Sequence, residues 1–295
     1  MKRTRSCLTR LIKIRAGLSL CYNKCMNTKM DTKLNTLHRR DPRLDILRGA
    51  TLVSMIAYHG CWDLVYLLGF DWSWYRGTGA WLWQQSICWT FILLSGYCWS
   101  LGRHHLKRGL LTFGAGLLVS VVTIIAMPSS RILCGVLTLL GTAALLMIPL
   151  DPLLKRIPWN VGIRFSFALF VLFRSINSGW LGIGLGGPLK GIILWELPES
   201  LYHHGLIGAW VGFMPTGFFS TDYFSILPWF FLFCTGYFLR KRTELRGATG
   251  REAGLPARDG FAVQILAWMG RHSLIVYLLH QPALYGLCLI LQWFM

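Results

Sequence analysis

Asp45, Arg48, His59 and Asp63 lie along one largely apolar run, LDILRGATLVSMIAYHG continued by CWD. At about 100° per residue they fall within roughly 60° of one another on a helix, while Leu47, Val53, Ile56 and Ala57 point elsewhere. A carboxylate one turn beyond a histidine can accept the imidazole N–H, fix its tautomer and stabilise imidazolium, which is what a general base needs. The plainer alternative is that His59 hydrogen-bonds a neighbouring helix. Asp45 and Arg48 also read two ways. They form an i,i+3 ion pair at a helix start, or the guanidinium faces the interior and grips the phosphate oxygens of a cytosolic anionic donor in a bidentate fork. His59 stands about 16 Å further along the axis than Arg48. A charge near mid-bilayer costs on the order of 2.5–3.5 kcal/mol, so such a stripe on a spanning helix marks a functional site.

A second polar stripe lies near the C-terminus, in GRHSLIVYLLHQP, where Ser273, Tyr277 and His280 sit at i, i+4 and i+7. Polar residues so placed either serve the site or bond helix to helix. His272, at the cytosolic end, reads as a headgroup or donor contact. Asp222 opens a helix in TDYFSILPW, as an N-cap or as a carboxylate that grips an incoming sugar hydroxyl or amine. Glu196, Glu199, His203 and His204 are candidate acceptor contacts on the same side.

The elements that carry these residues belong to a membrane. Hydrophobic residues make up 54% of the 295 and charged residues 14%, about half the charged share of soluble domains. Runs near the ~20 residues that a bilayer demands occur at 44–68, 79–101, 108–127, 131–150, 161–175, 223–239 and 271–294. The fold class predicted is therefore all-α, a polytopic transmembrane bundle of about seven spans. The glycine- and proline-broken stretch 179–219 either adds two crossings, making nine, or folds as re-entrant and interfacial segments. Of the 30 Lys and Arg residues, 24 then fall on the side of the N-terminus and four on the other, Arg76, Arg131, Arg174 and Lys190. That asymmetry predicts N-in, C-out and accounts for the net charge of +18 without nucleic acid. Trp72, Trp74, Trp81 and Trp83 form an outer aromatic belt. Residues 1–43 read as a disordered basic cytoplasmic tail ahead of a membrane domain over 44–295, or as sequence upstream of a start at Met26 or Met30; no cleaved leader is predicted.

The nine cysteines carry no metal chemistry on this reading. Cys61, Cys88, Cys98, Cys134, Cys234 and Cys288 lie in apolar helices, where a thiol behaves as a small hydrophobe. Cys21 and Cys25 lack a second pair or flanking histidines. The chain has neither a phosphate-binding glycine loop nor a Gly-x-Ser-x-Gly elbow.

Taken in order, LDILRG, MIAYHGCWDL, FILLSGYCWSLGR, DYFSILPWFFLFCTGYFLRK and MGRHSLIVYLLHQP resemble the heparan-alpha-glucosaminide N-acetyltransferase catalytic-domain family, chiefly its bacterial members, over roughly residues 40–294. Arg48 and His59 also match the Arg-x10-His arrangement of the related acyltransferase-3 type membrane enzymes. The resemblance implies a multi-span enzyme of a bacterial cytoplasmic membrane. Such an enzyme moves an acetyl group from cytosolic acetyl-CoA, a co-substrate rather than a bound cofactor, to the amine or hydroxyl of a cell-envelope glycan or small acceptor across the bilayer. It further implies His59 as catalytic base or acyl carrier with Asp63 as its partner. Arg48, Asp45 and His272 fall on the donor side, with Asp222, His280, Ser273 and Tyr277 as acceptor or supporting groups. No metal is implied, and a homodimer is compatible with it. One departure is Thr138, which stands where many bacterial members carry histidine. The rival from another class is a transporter or flippase whose polar stripe lines a substrate path.

Overall fold

The computed structural model describes residues 41–184, 186, 188, 189, 191–245, 247 and 260–294. The predicted tail, apart from its last three residues, lies outside them, and with it Cys21 and Cys25; so does Lys190. Among the described residues the chain is mostly helical. In order come α1 (Pro42–Tyr66), α2 (Thr78–Trp99), α3 (His105–Ala126), α4 (Val136–Leu154), α5 (Trp159–Leu172), α6 (Gly205–Val211), α7 (Ile226–Leu245), α8 (Phe261–Arg271) and α9 (Ser273–Phe294). Four stretches are long and apolar enough to cross a membrane: His105–Ala126, Val136–Leu154, Trp159–Ser178 and Ser273–Phe294.

One expectation needs refinement and one open choice is decided. The bundle is not purely α, because β1 (Trp180–Ile183) and β2 (Ile192–Glu196) pair antiparallel as a small hairpin. Of the two alternatives for 179–219, the non-crossing one fits: among its described residues the one α-helix has 7 residues, about 10 Å of rise against a hydrocarbon core of about 30 Å. Gly179, Gly186, Gly205, Gly212 and Gly217 take positive φ there, so the glycines make turns instead of apolar spans.

Helices meet where side chains are small. An ideal Cβ on Gly96 of α2 would lie 1.9 Å from the Phe233 carbonyl oxygen of α7, and one on Gly236 would lie 2.1 Å from that of Leu93. Backbones can touch this way only through glycine. Gly96→Val should therefore push α2 from α7 and destabilise by about 1–3 kcal/mol or more, visible as earlier thermal unfolding in detergent; unchanged unfolding would contradict the crossing.

The largest buried cluster joins α2, α4, α5 and α7 through Ile92, Leu139, Met147, Phe170, Leu232 and Phe233. A second gathers Leu52, Met55 and Ile87 between α1 and α2. Tyr277 of α9 packs against both. Contacts between α1 and α9 climb both helices in one direction: His59 meets His280, Gly60 faces Leu284, and Leu67 receives Gln292. The two thus run parallel.

Candidate active site

Proline at the first helical position suits its missing N–H, and Asp45 in the first turn suits the positive end of the helix dipole, so α1 begins at Pro42, two residues before the predicted span. Its polar stripe faces inward. Asp45 and Asp63 are buried and Arg48 and His59 are half-buried, while Leu47, Val53 and Ala57 on the other face are exposed. Ile56 is half-buried against the α1–α2 cluster.

At the N-terminal end of α1, Arg48 Nη1 lies 3.3 Å from Asp45 Oδ1, the i,i+3 pair that the spacing allowed. Cys98 of α2 lies beside the guanidinium. Gly270 packs on the Asp45 backbone, where an ideal Cβ would come within 1.8 Å of the carbonyl oxygen. That contact brings the α8–α9 junction to the pair. There His272 is exposed and its Nδ1 donates to the Trp268 carbonyl oxygen at 3.0 Å. Ser273, half-buried, starts α9.

Further along, His59 and His280 face each other with ring centroids 5.0 Å apart, and Tyr277 stacks on His280 at 5.3 Å. His280 Nδ1 bonds the Tyr277 carbonyl oxygen. A carbonyl can only accept, so Nδ1 carries the proton and, in the neutral ring, Nε2 keeps the lone pair. That Nε2 is buried and has no hydrogen-bond partner. Pro282, two residues on, cannot donate to the Leu278 carbonyl, so the helical ladder is broken where the polar turn sits.

Asp63 does not orient His59. Its carboxylate accepts from Gln281 Nε2 at 3.0 and 3.3 Å, and no hydrogen bond joins it to His59 among the described residues. The reason is geometric: parallel packing of α1 on α9 sets an amide donor against the fully buried carboxylate, and the buried group takes the partner from the facing helix. The tautomer-fixing bond expected at His59 is found instead at His280, supplied by its own helix. Gln281 itself carried no charge by which to be noticed; its only signal was a polar pair directly before proline in an apolar run.

Asp222 also departs from expectation. It does not cap its own helix, since α7 starts at Ile226; Oδ2 accepts from the Val136 N–H at 3.2 Å and so caps α4 in trans. The surrounding turn is tied to 131–134 by Thr221 N–H to the Arg131 carbonyl at 3.2 Å and Phe224 N–H to that of Cys134 at 2.8 Å. The residue keeps some exposure, but its carboxyl end points inward, within electrostatic reach of Cys88 and Tyr277. Burial pushes the carboxyl up to about 6 against the opposing pull of the Val136 hydrogen bond. The folded value lies above the unfolded one, so folding favours the neutral acid. Its contribution is complete below pH ~4 and is lost as pH rises through about 6. Asp222→Asn keeps an acceptor for Val136 and removes the titration. In thermal unfolding at pH 4 and pH 7 the wild type should gain on this variant only at the lower pH; a constant difference would contradict the assignment.

Thr138 lies at the α3–α4 crossing, against Gly116, with Oγ1 buried and unpartnered. Glu196, Glu199, His203 and His204 are exposed on the hairpin and the turn after it, and join no buried cluster. No group of three or more metal-ligating side chains occurs among the described residues.

No curated protein and no solved structure matches the chain. The family model described as heparan-alpha-glucosaminide N-acetyltransferase, catalytic, matches residues 40–282. That stretch runs from the start of α1 through His280 and Gln281 of α9, and so takes in both polar stripes and the helices between them. The chain therefore belongs to the heparan-alpha-glucosaminide N-acetyltransferase catalytic-domain family.

Proposed function

We propose that this membrane protein of an acetyltransferase family carries acetyl from acetyl-CoA on the cytosolic side to an amine or hydroxyl of a cell-envelope glycan on the other. The observation that carries the reading is the facing pair His59 and His280, with a buried, unpartnered lone pair on His280 Nε2. In the reaction His59 takes the proton from the acceptor as its nitrogen or oxygen attacks the thioester carbonyl. The C–S bond then breaks and CoA thiolate leaves. His280, fixed in one tautomer, keeps its Nε2 lone pair free beside the His59 ring, ready to accept a hydrogen bond from the imidazolium once it forms. Arg48, paired with Asp45 and close to the α8–α9 junction that carries His272, stands at the opposite end of α1, where donor phosphates would bind.

Seven crossings with N-in, C-out fit this division of labour. Antiparallel contacts of α3 with α4 and of α5 with α7, and parallel ones of α1 with α9, support alternation of the spans. The basic residues then gather on the donor side and the histidine pair lies toward the acceptor side of a bacterial plasma membrane. Purified protein incubated with labelled acetyl-CoA and a panel of envelope glycans, read by mass spectrometry, should yield an acetylated glycan. Glycan movement without acetylation would favour a carrier instead.

A further inference from the structure

Arg174 follows α5, at the same end of the bundle as His59 and His280, and its surroundings are unusual for a cation. Nη2 donates to Gln85 Oε1 at 2.9 Å, and the guanidinium carbon lies 4.6 Å over the Trp229 ring. Gln85 Oε1 also accepts from Trp89 Nε1 at 3.2 Å, so its oxygen is shared. Gly186, between the two strands, also comes close: a Cβ there would lie 3.4 Å from the guanidinium carbon. Nε is buried and makes no hydrogen bond. Among the described residues no carboxylate lies within ion-pair distance of Arg174.

A neutral amide and one aromatic face compensate a desolvated guanidinium only in part. The fork retains unused donors, and its natural complement is an oxyanion. Packing links Arg174 to the histidine pair. Trp229, beneath the guanidinium, lies in the largest buried cluster, against which Cys88 and Tyr277 pack; Tyr277 in turn stacks on His280. We infer that Arg174 is an anion-binding residue of the acceptor site, pairing with a carboxylate or phosphate group on the sugar that is acetylated. This deepens the acyltransferase reading and rests on it for the word acceptor.

The test measures binding to full-length protein in neutral-lipid nanodiscs at constant ionic strength, with glucuronate, glucose 6-phosphate, glucose and inorganic phosphate as probes. The two acidic sugars should bind about tenfold or more tightly than glucose and more tightly than phosphate alone. Arg174→Gln should bring acidic and neutral sugars level. Gln85→Glu gives the guanidinium an internal partner without removing it, and should level them too in a protein that unfolds at the wild-type temperature. Equal binding of acidic and neutral sugars by wild type, or selectivity retained in both variants, would overturn the inference. So would phosphate binding as tight as that of the acidic sugars, or selectivity that vanishes once anionic lipid is added, since the site would then serve a free ion or a headgroup. Acidic-sugar binding without any acetyl transfer would tell against the enzyme reading and leave the anion site standing; transfer without acid selectivity would do the reverse.

Discussion

His59→Ala is expected to lower acetyl transfer by about 10²–10⁴-fold, the range of a positioned general base, while the protein stays in the membrane fraction and unfolds near the wild-type temperature. His59 is half-buried and meets Tyr58 and His280 through ring contacts, so its removal frees no buried hydrogen-bonding group. Steady-state transfer and thermal unfolding, measured on one preparation, separate chemistry from folding. His280→Ala also removes the bond to the Tyr277 carbonyl, and should cost activity together with some stability. Full turnover in His59→Ala with loss confined to His280→Ala would exchange the roles of the two rings. A covalent acyl-histidine would add ping-pong kinetics and a labelled protein.

The second large effect concerns Asp63 and Gln281. Asp63 is fully buried, and the Gln281 amide reaches both its carboxylate oxygens. Gln281→Leu should leave the carboxylate without this donor and destabilise by about 1.5–3 kcal/mol, the range for a hydrogen bond to a charged group. Asp63→Leu alone strands the amide and should also destabilise, by less, because the amide is neutral. With both replaced, no polar group is left behind, and stability should recover relative to Gln281→Leu. Strictly additive losses across this double-mutant cycle would mean that the two residues do not depend on each other. Since the pair joins α1 to α9 within one turn of the facing histidines, transfer should fall in proportion to the loss of helix contact and recover in part in the double variant.

The inward face of α1 was legible because a single helix's periodicity says which residues share a side, and Asp45, Arg48, His59 and Asp63 do. The same holds for Ser273, Tyr277 and His280 on α9, where Ile275 and Leu279 between them are exposed. Which helix faces which was not legible, because that choice is made by packing across most of the chain. The Asp63–Gln281 bond spans 218 positions, and the nearer candidate, His59, lay on the same helix. Asp222 misled for the same reason: its acceptor oxygen serves a helix start 86 residues away. The hairpin over 180–196 was hidden in an apolar, glycine-rich stretch whose composition suits a span as well as a strand. By sequence Arg174 is one more loop cation, because charge alone does not tell whether a carboxylate will arrive to meet it.

The most direct measurement uses sealed proteoliposomes with labelled acetyl-CoA confined to the side of the basic loops and a glycan acceptor confined to the other. Acetylated glycan is expected in the acceptor compartment, dependent on His59, with CoA released where it was supplied. Product formed only when donor and acceptor share a compartment, or formed equally by His59→Ala, would contradict this expectation.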